Sequence, residues 1–79
     1  MERLKQLRQQ KHYTQVKMQF LTGIDQSAYS KMERGYIEPS LQQCKRLAMV
    51  LGTSIDYLAE LTDNPTPYPR AGEYKKRLV

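Results

Sequence analysis

No tryptophan, one cysteine, one histidine and one phenylalanine occur among these 79 residues, and no apolar run approaches the roughly 18 residues of a membrane-spanning helix. A lone Cys44 excludes an internal disulfide and a multi-cysteine zinc site, and it fits a reducing compartment. Its place among apolar residues at helical spacing makes it a small core residue. His12 has no carboxylate or cysteine beside it to complete a ligand set, so an exposed loop residue is expected rather than a metal ligand. No Ser-His-Asp or Cys-His set, no carboxylate pair with a plausible pocket and no phosphate loop is present, which excludes an enzyme, and no cofactor is expected. No site for a small-molecule ligand is evident. Met1-Glu2-Arg3 opens into alternating charge rather than the apolar centre of a signal peptide, so a cytoplasmic location is expected.

What is present fits one small globular domain, because chains divide into separate cores only at several times this length. Hydrophobic and charged contents of 39% and 27% lie within the globular range and exclude wholesale disorder. Thirteen Lys and Arg stand against eight acids, a formal charge of +5 that favours a polyanionic partner. The excess is spread along the chain: residues 1–61 hold nine basic and six acidic side chains, residues 62–79 four and two.

Leu4 and Leu7 recur at a helical step between strong helix formers, which predicts a first helix over Glu2 to Gln10. Thr14 is an N-cap for a second helix that ends at Gly23, and Asp25 caps a third that begins at Gln26 and stops before Gly35. The reversal at Gly23-Ile24-Asp25 is short enough for a helix-turn-helix. On the third helix Tyr29 and Met32 share an inner face, leaving Gln26, Ser27, Ser30 and Lys31 outward. After the loop Tyr36 to Pro39, Ser40 caps a fourth helix whose apolar set is Leu41, Cys44, Leu47, Ala48 and Leu51. Ser54 caps a short fifth helix, with Ile55, Leu58 and Leu61 expected in the core. Three prolines between Pro65 and Pro69 exclude helix there, so residues 63–79 read as a Pro-rich, basic tail, extended or partly disordered, beyond a domain at 1–62.

Thr14-Gln15, Gly23-Ile24, Ser27 to Ser30, Glu33-Arg34-Gly35, Pro39-Ser40-Leu41, Leu47-Ala48 and Leu51-Gly52 keep one register over about 60 residues, and this pattern resembles the Cro and phage-repressor helix-turn-helix family, also called the XRE family. The resemblance implies an all-α, five-helix, lambda-repressor-like fold that binds double-stranded DNA. It implies base contacts from Gln26, Ser27 and Lys31. A Gln amide pairs bidentately with adenine, whereas Lys prefers guanine. Ala28 is either a thymine-methyl contact or a small spacer. Phosphate contacts are implied for Thr14 and Gln15 at the start of the second helix, and for Arg34 and Tyr36 past the third. Arg34 has the alternative of pairing with an acid, and Lys11, Lys17, Lys45 and Arg46 are left without a role. Arg8 and Glu33 occupy the places of a structural ion pair that orients the recognition helix.

Two residues depart from the family pattern. Gln19 stands where a small Ala is usual, and Tyr29 where an aliphatic residue is usual, so their bulk should alter the helix crossing, with the Gln19 amide a candidate partner for the Tyr29 hydroxyl. Family members of this size work as dimers on palindromic operators. The homodimer interface expected here is the fifth-helix region, Ser54, Ile55 and Tyr57, with Tyr68 of the tail, unless Tyr57 lies flat on its own domain. The function implied is a small transcriptional regulator, a Cro-like repressor, since no ligand or cleavage domain is attached. The alternative is a protein-interaction module such as an antitoxin or coactivator.

Overall fold

In the computed structural model, which describes residues 1–69, five helices follow one another without a strand: α1 Glu2–Gln10, α2 Gln15–Thr22, α3 Gln26–Glu33, α4 Leu41–Leu51 and α5 Ile55–Leu58. Side chains just ahead of each helix explain why four of them start where they do. Thr14 Oγ1 accepts from Lys17 N at 3.0 Å, Asp25 Oδ2 from Ser27 N at 3.1 Å, and Ser54 Oγ from Tyr57 N at 3.0 Å. Ser40 and Gln43 form a reciprocal capping box, each side chain accepting from the other's backbone N–H. Each such contact satisfies a donor that the helix itself leaves unpaired.

Helix α2 ends at Gly23, whose φ of 74° lies in the left-handed region that a side chain would disfavour. Thr22 then braces the reversal: its hydroxyl donates to Met18 O at 2.6 Å and accepts from Ile24 N at 3.1 Å. With Ile24 buried as the anchor, the turn delivers α3 directly against α2. Arg34 is the C-terminal cap of α3 rather than its last helical residue.

The core is one cluster in which Leu4 and Leu7 of α1, Met18 of α2, Tyr29 and Met32 of α3, Leu47, Ala48 and Leu51 of α4 and Leu58 of α5 meet around Ile24. Cys44 is buried beside Pro39, as a small core residue should be, and His12 is exposed. Two expected core residues are not there. Leu41 is 66% exposed, because side chains tilt toward the N-terminus of their helix and the first residue of α4 therefore points past its end. Leu61 is 77% exposed, because α5 stops at Leu58 and Glu60, with a φ of 64°, turns the chain out of helical phase.

From Thr62 to Pro69 the chain has no helix or strand, yet it is tied to the domain. Arg3 donates to Thr62 O at 2.6 Å and to Asp63 Oδ1 at 2.9 Å, Thr53 Oγ1 donates to Pro65 O at 2.8 Å, and the Tyr68 hydroxyl donates to Asp56 Oδ2 at 2.8 Å. These bonds lay the segment back across α5. The part of the expected tail from residue 70 onward lies outside the described residues.

Candidate nucleic-acid interface

Helix α3 buries Tyr29, Met32 and Glu33 and leaves Gln26, Ser27, Lys31 and Arg34 exposed, with Ser30 half-buried between them. A shallow polar groove runs along this face, lined by Gln15 and Gln19 of α2, Asp25, and Gln26, Ser27, Ser30 and Arg34. The structure thus brings together Gln15, Gln26, Ser27 and Arg34 of the expected contact residues. Lys31 stands outside the groove on the same exposed helix, and Thr14 spends its hydroxyl on the cap of α2.

Beneath the groove lies a charged network. Arg8 Nε meets Glu33 Oε2 at 2.6 Å and its Nη2 meets Oε1 at 3.1 Å, a two-point contact with the side chains only 12% and 3% exposed. Arg8 also donates to Tyr13 O at 2.9 Å, and Gln15 Nε2 donates to Glu33 Oε1 at 3.2 Å. Burial opposes ionisation of Glu33, but hydrogen bonds from Arg8 and Gln15, the polar hydroxyl of Tyr29 close by and the charge of Arg8 outweigh it, so its pKa lies below the ordinary value. The same carboxylate raises that of Arg8. Gln15 therefore faces two ways: it lines the groove while its amide is bound to the buried pair that holds α3 to α1.

Tyr29 sits at the centre of this arrangement, fully buried, and burial followed by the nearby Glu33 charge pushes its phenol well above its usual value. Its hydroxyl lies beside Glu33 without reaching good hydrogen-bonding geometry with any side chain. The expected bond from Gln19 to Tyr29 is not formed. Gln19 Oε1 instead accepts from the backbone N–H of Gln26 at 2.6 Å, because the amide reaches the open N-terminus of α3 before it reaches a phenol turned inward to Glu33. No sequence signal announces this contact, since it depends on how the two helices cross.

The two helix N-termini differ in charge. The first turn of α2 has no acidic residue, and Thr14 takes only the Lys17 N–H, whereas at α3 the N-cap itself, Asp25, is a carboxylate. An anion is accordingly more welcome at α2. Past α3, the Arg34 guanidinium lies 4.9 Å from the centre of the exposed Tyr36 ring, and its Nε approaches Ser30 O at 3.4 Å. Among the described residues Arg34 forms no ion pair; the two found belong to Arg3 and Arg8.

The expected interface residues on α5 are more engaged than their sequence suggests. Ser54 is buried as the α5 cap, and Ile55 is half-buried against the core. Tyr57 lies under the Arg3 guanidinium, 4.1 Å from its ring centre, while its carbonyl accepts from Arg3 at 2.7 Å, so its ring packs on its own domain. Tyr68 is 64% exposed.

A short helix, a tight three-residue reversal and a second helix with a polar uncovered face define a helix-turn-helix domain. The chain belongs to the helix-turn-helix family, whose model matches residues 4–58. It is 41% identical over 61 residues to YonR, an HTH-type transcriptional regulator derived from the SPbeta prophage of Bacillus subtilis strain 168, covering 77% of this chain and 56% of that protein. A second HTH-type transcriptional regulator of that strain, YobD, is 35% identical over 66 residues, covering 84% of this chain and 59% of its own length. The chain thus matches little more than half the length of these relatives, which are named as transcriptional regulators and not as enzymes. No solved structure matches it significantly. None of the helices among the described residues is long and apolar enough to cross a membrane.

Proposed function

We propose that the chain is a sequence-specific double-stranded DNA-binding regulator that lays α3 in the major groove, with Gln26, Ser27 and Lys31 on base edges and Thr14, Gln15, Arg34 and Tyr36 on phosphates. The observation that carries this reading is the outward face of α3: Gln26, Ser27, Ser30, Lys31 and Arg34 form a polar surface with two cations and the capping Asp25 at its edge, on a helix whose inner face is held by the Arg8–Glu33 pair. Gln26 can pair bidentately with adenine N6 and N7, and Lys31 with guanine O6 and N7. The acid-free N-terminus of α2 suits a phosphate, and the Arg34–Tyr36 stack holds a cation ready for a second one.

Two copies are needed for selectivity. The eight residues of α3 extend about 12 Å and span about four base pairs, a site that recurs too often to specify one operator. A two-fold dimer on palindromic half-sites one turn apart doubles the site, and Ile55 and Tyr68 with the rim of Tyr57 supply the surface for it. Occupying such an operator, the protein acts as a Cro-like repressor in the cytoplasm. A selection from random duplex DNA at two salt concentrations tests this. A two-fold sequence is expected, with Gln26→Ala losing about 1–3 kcal/mol at one base pair and Arg34→Ala weakening all sequences alike. Failure to enrich any sequence would overturn the reading.

A further inference from the structure

The hydrogen bond between Gln19 and the first amide of α3 gives α2 a hold on Gln26, an exposed residue at the start of the proposed recognition helix. We infer that Gln19 is a positioning residue for base recognition: its Oε1, 2.6 Å from Gln26 N, fixes the N-terminus of the recognition helix on α2 and thereby sets which base Gln26 reads. The inference rests on the DNA-binding reading above and deepens it.

Three observations converge on this role. Gln26 is the first residue of α3 and is exposed, so its backbone N–H has no partner within the helix and its orientation depends on what lies outside it. Asp25, the helix's own cap, takes the next amide, Ser27 N, and leaves that of Gln26 to Gln19. The two caps therefore act on adjacent amides from different directions, one local in sequence and one from the middle of the supporting helix. Gln19 is in addition half-buried and lines the same groove as Gln15, which is tied to Glu33 of α3. Helix α2 thus grips α3 at both ends, through Gln19 at the first residue and through Gln15 at the last.

The chemistry of the amide makes the contact directional. A backbone N–H can only donate, so the carbonyl oxygen of Gln19 must face it and the Nε2 group faces away. Only an acceptor at this position performs the task. Glu keeps the oxygen and reaches equally far, whereas Ala and Met do not supply one. Precise placement matters because a bidentate amide-to-adenine contact tolerates little error in the direction from which the side chain approaches.

The test is a set of binding selections on folded proteins, with helicity and thermal unfolding measured alongside. Wild type, Gln19→Ala, Gln19→Met, Gln19→Glu and Gln26→Ala are compared, together with the Gln19→Ala/Gln26→Ala double variant. The expected result is that Gln19→Ala and Gln19→Met lower preference for the Gln26 base pair by on the order of five- to tenfold, the size of one lost hydrogen bond. Gln19→Glu restores that preference, even where its charge weakens binding to every sequence. In the Gln26→Ala background, Gln19→Ala changes the preference no further, because the group it positions is gone. If Gln19→Ala or Gln19→Met lowers the melting temperature or the overall affinity but leaves the preference at that base pair intact, the inference is overturned while the DNA-binding reading stands. If wild type itself enriches no sequence, both fall together.

Discussion

Arg8 and Glu33 share a site from which neither charge can escape to water, so each is tolerable only while the other is present. Replacing Glu33 by Gln strands the guanidinium and should destabilise the domain by about 3 kcal/mol, read from denaturant unfolding at neutral pH. The pair also predicts a pH dependence. Because the folded-state pKa of Glu33 is depressed, its contribution is complete above the unfolded value, ordinarily 4.5, and is lost as the pH falls through the lower folded value. Stability of the wild type should therefore fall more steeply below about pH 4.5 than that of Glu33→Gln, in thermal melts taken from pH 6 to pH 2.5. Tyr29 beside it makes the opposite prediction. Its buried hydroxyl lacks a well-formed bond, so Tyr29→Phe should leave the melting temperature unchanged or raise it, by up to about 1–2 kcal/mol of stability. A clear loss would show that the hydroxyl bonds to Glu33 after all.

At the scale of elements, helix limits follow from local chemistry, and the sequence displays them. Thr14, Asp25, Ser40 and Ser54 cap their own helices, and Gly23 and Gly52 close theirs, because a cap needs only residues within three or four positions of each other. Burial is less legible at helix ends. Leu41 and Leu61 fit the apolar spacing, yet one begins its helix and the other lies beyond a left-handed residue, so periodicity alone cannot tell that nothing covers them. Contacts between elements are the least legible: the outward polar face of α3 can be read from spacing, but the partner of Gln19 depends on the crossing of two helices. His12 offers a test of the local rule. It follows α1 with a φ of 59°, an orientation that glycine adopts freely, and it is exposed. Substituting His12→Gly should stabilise the protein by up to about 1 kcal/mol, seen as a higher midpoint in urea.

Across the whole molecule, the body measures 43 Å along its longest axis and 24–25 Å across the other two. Two such bodies fit side by side at half-sites about 34–36 Å apart on one face of a duplex. On the proposed dimeric binding, two copies whose long axes run along the duplex meet across that spacing and should bind cooperatively to the selected palindrome. Inserting about five base pairs between its halves rotates them by about half a turn and should abolish that cooperativity in a gel-shift titration. Unchanged cooperativity would mean that the two copies do not touch.

Arg3 has a further consequence, one that concerns the order of events as the chain folds. Its guanidinium joins the Tyr57 ring and carbonyl, Thr62 O and Asp63, partners 54 to 60 positions further along the chain. The caps of α2 and α3 are local and available to a nascent polypeptide as those residues leave the ribosome, but this loop cannot close until nearly the whole domain has been made. Contacts between the two ends of the domain therefore wait on its synthesis, and Arg3 is the polar tie that joins the first helix to the segment after the last, beside the core that Leu4 and Leu58 share.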